Sequence, residues 1–497
     1  MSTIAAAFRG DGILERYFGF AARGTTFARD TMAGATTFVV MSYIIFVNPI
    51  ILTGATPKFG PSLAFGAVLT STCLVAGVMS ILMGLTTNYA YAIAPGMGLN
   101  AVVAYGLVAS GKASFPEAMG LVVLEGAAMV VLAVTGLREL IFRAIPLELK
   151  KAIAIGIGLF IAFIGLYNSG IIANVDPAGG QPVTLGNFTT WPIFVTIFGL
   201  VFTIALRAIR FRGDLIVGII GTTVVATIIN SLVSHHRAFG TETATWPGWH
   251  HLYARPDFSL LGNISMHSFS TTQLGVVASL VWVFSLFLSD FFDFSGTAIG
   301  VGKQAGYVDQ DGNIPKFKKA LIVDGLAASA GGFASASSAT TFIESGSGVA
   351  AGGRTGWVAI VAGLLFFPFM FISPLIGMVP AQATAAALVV VGWLMVSTLT
   401  EMEGEAEGKT ATKLAGIDFH DLAIGLSAAL AIMIMPFTYS ITNGIGFGFI
   451  TYTVICAARR EWKRIHPFMW VVTAAFVLYF LVPLLQQHVS WFGGHLA

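Results

Sequence analysis

Five carboxylates stand inside the apolar stretches of this 497-residue chain, namely Glu125, Asp290, Asp293, Asp324 and Glu344. An acid at the centre of a bilayer costs roughly 2.5–3.5 kcal/mol, so it is kept there for a function or satisfied by a neighbouring helix. Asp290 and Asp293 are three residues apart and therefore lie on one face of a helix. We expect functional roles for Asp293 and Glu344, and interhelical hydrogen bonds or positions at span ends for Glu125 and Asp324.

The acids at 290, 293 and 344 have no Lys or Arg in their own apolar segments that could pair with them. An unpaired carboxyl in a medium of low dielectric constant favours its protonated form, which suits proton coupling. An anionic substrate would meet acids and no cation at such a site. The pattern therefore favours a neutral ligand and protons, and it gives no sign of a catalytic residue, a cofactor or a metal site.

The composition shows which elements must position these acids. Only 10% of the residues are charged and 56% are apolar, whereas about 25% of an ordinary soluble domain is charged. The longest uncharged run, Phe59–Gly111, has 53 residues, and one crossing of the hydrocarbon core takes about 20. This pattern predicts an all-α polytopic membrane protein and excludes an outer-membrane barrel. A net charge of +2, with the basic residues between the spans, excludes a nucleic-acid partner.

The apolar stretches predict fourteen spans, at about 36–53, 63–84, 91–110, 117–136, 151–173, 191–209, 213–233, 272–300, 319–335, 339–352, 356–378, 383–400, 419–436 and 441–457. An extra C-terminal apolar segment at 468–485 is a fifteenth crossing or an interfacial helix. With the N-terminus inside, the inner segments collect 22 of the 26 Lys and Arg residues. This asymmetry predicts a cytoplasmic N-terminus.

The third and tenth spans are interrupted. The third contains Pro95, Gly96 and Gly98, and the tenth is rich in Gly, Ser and Ala around Glu344. Each reads as a short extended segment followed by a half-helix. Because they are seven spans apart, they predict two seven-span repeats in inverted orientation, and matched interruptions point to a transporter's binding site at the midplane. The alternative is that the small residues only let helices pack closely.

Five sets of motifs are long enough to be specific: MAGATTFVVMSYIIFVNP at 32–49, APGMGLNA at 94–101, DFFDFSGT at 290–297, FIES at 342–345 with GGRTG at 352–356, and MPFTYSI at 435–441. They resemble the AzgA-like purine permeases of the wider nucleobase:cation symporter and nucleobase-ascorbate transporter superfamily. The resemblance runs from about residue 12 to residue 480. It implies a proton symporter for adenine, guanine or hypoxanthine in the cell membrane, with an elevator motion and a homodimeric assembly.

The resemblance also implies a division into domains. It places a cytoplasmic N-terminus at 1–35, a core domain at 36–136 and 272–378, a gate domain at 151–233 and 383–457, and an extracytoplasmic loop at 234–271. By motif, Asp293 and Glu344 fall on the substrate-binding carboxylates and Asn100 on the polar residue of the third span. We expect the substrate site to be completed by Met97, Gly98, Phe342 and Ser345, and proton coupling to involve Asp290 and Glu344.

Other functions stay open. A carrier of the same fold could take uracil, xanthine or an inorganic anion, but an anion carrier would want a basic residue where Glu344 stands. A channel or receptor would need a continuous polar pore or a soluble sensory domain, and the longest loop, at 234–271, is too small for such a domain. An intramembrane enzyme built on Asp290 and Asp293 is disfavoured by Glu344 and by the matched repeats.

Overall fold

The structure is a computed structural model, and it describes residues 12–136, 144–173, 183–233, 238–239, 243–248, 251–270, 274–309, 314–401 and 417–488. For residues 398–401 and 482–488 only the backbone is described. Parts of the expected N-terminal segment, the extracytoplasmic loop and the second gate segment therefore lie outside the described residues.

The first half of the chain is helical, with short strands at 93–95, 172–173 and 184–185. Its elements are α1 (Ile13–Phe18), α2 (Phe27–Met41), α3 (Ile44–Gly54), α4 (Phe65–Thr87), β1 (Ile93–Pro95), α5 (Met97–Ala101) with a π-helical continuation (Val102–Ala109), α6 (Phe115–Thr135), α7 (Leu147–Asn168), β2 (Ile172–Ala173), β3 (Thr184–Leu185), α8 (Trp191–Ala208) and α9 (Asp214–Leu232).

The second half of the chain is also helical, with one short strand at 339–341. Its elements are α10 (Gly275–Gln304), α11 (Phe317–Phe333), β4 (Ala339–Thr341), α12 (Ser345–Ala350), α13 (Trp357–Phe366), α14 (Ser373–Gly377), α15 (Ala381–Glu401), α16 (Leu422–Phe437), α17 (Ile441–Ala458) and α18 (Pro467–His488). Short 3₁₀ turns at Ala21–Arg23, His267–Phe269, Phe367–Phe371 and Trp462–Arg464 join some of them.

Eight segments of the described chain are long and apolar enough to cross a membrane. They are Phe27–Gly54, Phe65–Thr87, Phe115–Thr135, Leu147–Asn168, Trp191–Ala208, Asp214–Leu232, Gly275–Gln304 and Ile441–Ala458. Five shorter apolar helices accompany them, among them Met97–Ala109 in the expected third span. The protein is therefore a multi-pass helical membrane protein. The first helical span begins nine residues before the expected start at residue 36.

Local signals explain several helix ends. Ser114 and Glu117 form a capping box at the start of α6, because Ser114 donates its backbone N–H and hydroxyl to the Glu117 carboxylate, both at 2.8 Å. The Thr26 hydroxyl accepts from the Arg29 N–H at the start of α2. Asn88 ends α4 with a left-handed backbone, φ 57°. These ends fix where the chain leaves each helix and enters the segments that follow.

The two interrupted segments meet as a pair of strands in the middle of the bundle. β1 and β4 run antiparallel, with Ile93 opposite Thr341 and Pro95 opposite Ala339. All six strand residues are buried. Because the strands pair with each other, the backbone groups that the broken helices leave free inside the bundle find partners there.

The helices pack in two sets. Around the strand pair, α4 packs against α13 and α11, α6 against α11, and α2 against α13. In the other set, α7 packs against α15 and α16, α8 against α9 and α15, and α16 against α17. Glycines permit the closest approaches: a Cβ on Gly158 would lie 2.6 Å from the Gly392 carbonyl, and one on Gly126 would lie 2.4 Å from the Gly325 carbonyl.

Candidate functional site

A cavity lies where the strand pair faces the second set of helices. One wall comes from Tyr43 at the junction of α2 and α3, from α5 and α10, and from the end of β4 with the segment that follows it; the other comes from α7 and α15. Its lining residues are Tyr43, Gly96, Met97, Gly98, Ile153, Ala154, Ile157, Ile161, Phe292, Asp293, Gly296, Thr297, Thr341, Phe342, Ile343, Glu344, Val391, Leu394 and Met395. The cavity therefore joins both interrupted segments with both sets of helices.

Glu344 is held in this cavity by a tyrosine from the first span. The Tyr43 hydroxyl donates to Oε1 of Glu344 at 2.6 Å. Tyr43 stands where α2 ends and α3 begins, so the step between these helices turns its side chain into the bundle. Glu344 directly precedes α12 and is 8% exposed. A hydrogen bond to a carboxylate is stronger than one between neutral groups, so Tyr43 fixes the orientation of Glu344.

Asp293 provides the second carboxylate. It projects from α10, is partly exposed, and is close enough to Glu344 for the two charges to interact. Thr297, one turn further along α10, also lines the cavity. Two carboxylates that project into one cavity from different elements can each accept an N–H from the same ligand.

The structure brings some of the expected site residues together and places others elsewhere. Met97, Gly98, Phe342, Asp293 and Glu344 line the cavity. The other three do not.

Asn100 is fully buried and donates to Oδ1 of Asn48 at 2.5 Å. The Ser345 hydroxyl accepts the backbone N–H of Ala92 at 3.0 Å, and Asp290 is fully buried outside the cavity lining.

Several lining residues had no signal in the sequence that would assign them to a site. Ile157 and Met395 come from helices whose apolar residues look alike whether they face lipid, another helix or a ligand. Tyr43 carried a weak signal, since it is a polar residue in the apolar first span and belongs to the motif at 32–49.

The cavity combines acceptors with apolar walls. Among the described residues that line it, none is Lys, Arg or His. The aromatic ring of Phe342 and the apolar side chains of Met97 and Ile157 offer surfaces for a flat ring. Such a cavity suits a small neutral ligand with N–H donors on its edges.

Apolar helices that surround a cavity at two interrupted spans are typical of multi-pass transport proteins. Residues 29–407 match the model of the Permease family (Xan_ur_permease), and the chain belongs to this family. It is 37% identical to the guanine/hypoxanthine permease PbuG of Bacillus subtilis, over 94% of this chain and 99% of PbuG. It is 36% identical to the adenine permease AdeP of Escherichia coli, over 94% of this chain and 96% of AdeP.

Solved structures support the fold. The transmembrane domain of a cyanobacterial bicarbonate transporter, BicA, is similar with a TM-score of 0.58 and 13% identity. The similarity covers 82% of this chain and 96% of that domain. At this identity the likeness describes the fold alone.

Proposed function

We propose that this permease is a secondary active transporter that imports purine nucleobases by proton symport. The relatives PbuG and AdeP, which share 37% and 36% of their residues with this chain over most of its length, are named for guanine, hypoxanthine and adenine. Their substrates are flat, neutral rings with N–H groups on their edges.

The presence of Asp293 and Glu344 together on one wall of an apolar cavity carries this proposal. Each carboxylate accepts a ring N–H, and Phe342 and Met97 contact the faces of the ring. An anion such as bicarbonate would meet two acids here and, among the described lining residues, no cation. The same-fold alternative of an anion carrier is therefore disfavoured by the site itself.

We extend the proposal to the architecture: fourteen spans in two inverted seven-span repeats. It is supported by the antiparallel pairing of β1 with β4, one from each half of the chain. The helix packing also supports it. In the two repeats α4 corresponds to α11 and α6 corresponds to α13, so the packing of α4 on α13 corresponds to the packing of α11 on α6. The set around the strands is the core domain (36–136 and 272–378), and the other set is the gate domain (151–233 and 383–457).

In this proposal the core moves against the gate like an elevator, and the cavity between them exposes its ligand to one side at a time. The cavity has walls from both sets, as such a motion requires. The protein acts in the cell membrane with its N-terminus in the cytoplasm, as a homodimer.

Uptake of labelled hypoxanthine into cells that express the protein tests the substrate class. Unlabelled adenine, guanine, xanthine and uracil are added as competitors. We expect competition by one or more of the purines adenine and guanine and little by uracil. Competition by uracil alone, or inhibition by bicarbonate and not by purines, would overturn the assignment.

A protonophore tests the coupling ion. Because the proposed site holds acids and, among its described lining residues, no basic residue, we expect collapse of the proton gradient to stop accumulation. Uptake that follows external sodium and ignores pH would contradict proton symport while leaving the purine assignment intact.

A further inference from the structure

Three further carboxylates are buried between α6, α10 and α11, outside the lining of the cavity. Glu125, Asp290 and Asp324 are each 0% exposed. The charged groups that act on them are one another and Asp293, and among the described residues no Lys, Arg or His faces them. Three ionised carboxylates in such surroundings would repel one another at close range, with no cation among the described residues to offset the repulsion.

Asp324 is accounted for by hydrogen bonds. Its Oδ1 accepts the backbone N–H and the hydroxyl of Thr341, both at 2.8 Å, and its Oδ2 accepts the hydroxyl of Thr340 at 3.1 Å. Three donors satisfy a carboxylate. Asp324 therefore serves to hold β4 in place.

Glu125 and Asp290 are different. Glu125 receives one donor, the Ser338 hydroxyl at 3.1 Å on Oε1, while its Oε2 has none among the described residues. Neither oxygen of Asp290 has a donor from the described residues. The Thr340 hydroxyl lies near Asp290, but it donates its one proton to Asp324. A fully buried carboxyl without a donor is costly unless a ligand or a proton completes it.

The two incomplete carboxyls face each other. α6 packs against α10, and Glu125 and Asp290 interact directly across this interface. Two carboxylates are both acceptors, so they can bond only when one of them carries a proton. A metal ion is the other way to join them, but the described residues contain no group of three or more His, Cys, Asp or Glu placed to hold one.

We propose that Glu125 and Asp290 share one proton, and that this pair, outside the ligand cavity, binds the proton that is transported. The proposal rests on proton symport of purines and adds Glu125, which sequence reasoning assigned to a structural hydrogen bond. One bound proton reduces the charge of the pair from −2 to −1. The core can then cross the low-dielectric region without the repulsion of two adjacent charges.

The pair is also connected to the ligand site. Ser338 contacts Glu125 and directly precedes β4, and β4 leads through Phe342 to Glu344. Asp293 follows Asp290 by one turn of α10. Loss of the proton changes the charge beside β4, which leads to Glu344, and beside α10, which carries Asp293. The pair therefore acts on the two ligand carboxylates through the backbone of these segments.

Glu125→Gln is the sharpest test. Glutamine keeps the shape of glutamate and donates an N–H to Asp290, so the pair holds a charge of −1 with no proton bound. In proteoliposomes we expect purine-driven proton entry and gradient-driven accumulation to fall to a tenth of wild type or less. Exchange of labelled for unlabelled hypoxanthine, and hypoxanthine affinity, should stay within about twofold of wild type. Glu117→Gln on the same helix, which retains the capping box, is the matched control and should behave as wild type.

Proton entry that accompanies purine in Glu125→Gln as it does in wild type would overturn the inference. Infrared spectroscopy of the unmutated protein at neutral pH provides a test that needs neither substrate nor folding of a variant. We expect the carbonyl band of a buried protonated carboxyl, and its absence would also overturn the inference. If the wild type neither binds nor accumulates purines, the proposed function fails, whereas absence of the infrared band contradicts the shared proton by itself.

Discussion

The carboxylates of the cavity and those of the interior are chemically the same groups in differently built surroundings. Glu344 and Asp293 border open space, and Glu344 is oriented by the Tyr43 hydroxyl. Glu125 and Asp290 are closed off between helices and lack donors for three of their four oxygens among the described residues. The first region is prepared to accept N–H groups from a ligand, whereas the second is complete only with a proton.

Asp290 and Asp293 show that the surroundings of a carboxylate depend on the direction in which it projects from its helix. They are one helical turn apart on α10, yet Asp293 lines the cavity and Asp290 faces α6. A difference of about 60° around the helix axis, which three residues produce, is enough to separate the two surroundings. Substitutions that neutralise one carboxyl at a time should therefore separate ligand affinity from proton coupling.

Glu344→Gln should reduce purine affinity the most. The change removes the charge from a hydrogen bond worth roughly 1.5–3 kcal/mol and can direct an amide donor at a ligand donor. We expect the Kd for hypoxanthine, measured by calorimetry on purified protein, to rise at least tenfold. Glu117→Gln serves as the control for an equivalent change elsewhere. Binding by Glu344→Gln as tight as that of wild type would remove Glu344 from the site.

Asp293→Asn should have the next largest effect. Asp293 is more exposed than Glu344, so its charge is better screened and its loss should raise the Kd about three- to tenfold. The same calorimetric titration measures it. A greater loss of affinity than in Glu344→Gln would reverse the order and make α10 the main contact.

Tyr43→Phe should weaken binding about two- to fivefold, because Glu344 keeps its charge and loses one oriented donor. The double variant Tyr43→Phe/Glu344→Gln completes a double-mutant cycle. We expect it to bind about as Glu344→Gln does, since Tyr43 acts through Glu344. Full additivity of the two losses would show that Tyr43 contacts the ligand independently.

Much of this arrangement could be predicted from the sequence because interruptions and acids are rare in apolar spans. Pro95, Gly96 and Glu344 mark the two breaks, and the structure pairs those breaks as β1 and β4. The family assignment made from the motifs is confirmed by the match over residues 29–407. The helices of the opposite wall could not be assigned to the site, because Ile157 and Met395 are apolar in an apolar environment.

The polar residues at the two interruptions show which part of the site could not be predicted from the sequence. Asn100 and Ser345 stand beside the interruptions, as ligand-binding residues would, but each bonds within the protein: the Asn100 Nδ2 donates to Asn48, and the Ser345 hydroxyl accepts the Ala92 N–H. Oδ1 of Asn100 has no donor among the described residues. A polar group released from a helix must be satisfied first by the protein itself. Which groups remain for a ligand depends on side-chain directions, which the sequence does not contain.

Asp290→Asn should change purine affinity least and transport most selectively. Asparagine donates an N–H to the free Oε2 of Glu125, so it replaces the shared proton by a permanent hydrogen bond and leaves Asp293 and Glu344 untouched. We expect a Kd within about twofold of wild type, an unchanged melting temperature, and accumulation under a proton gradient at least tenfold lower. Calorimetry, thermal unfolding and proteoliposome uptake on one preparation measure all three. A tenfold loss of affinity at an unchanged melting temperature would place Asp290 among the ligand carboxylates. The distinction between the two regions would then fail, because a carboxyl group buried against α6 would affect ligand binding as strongly as Glu344 does.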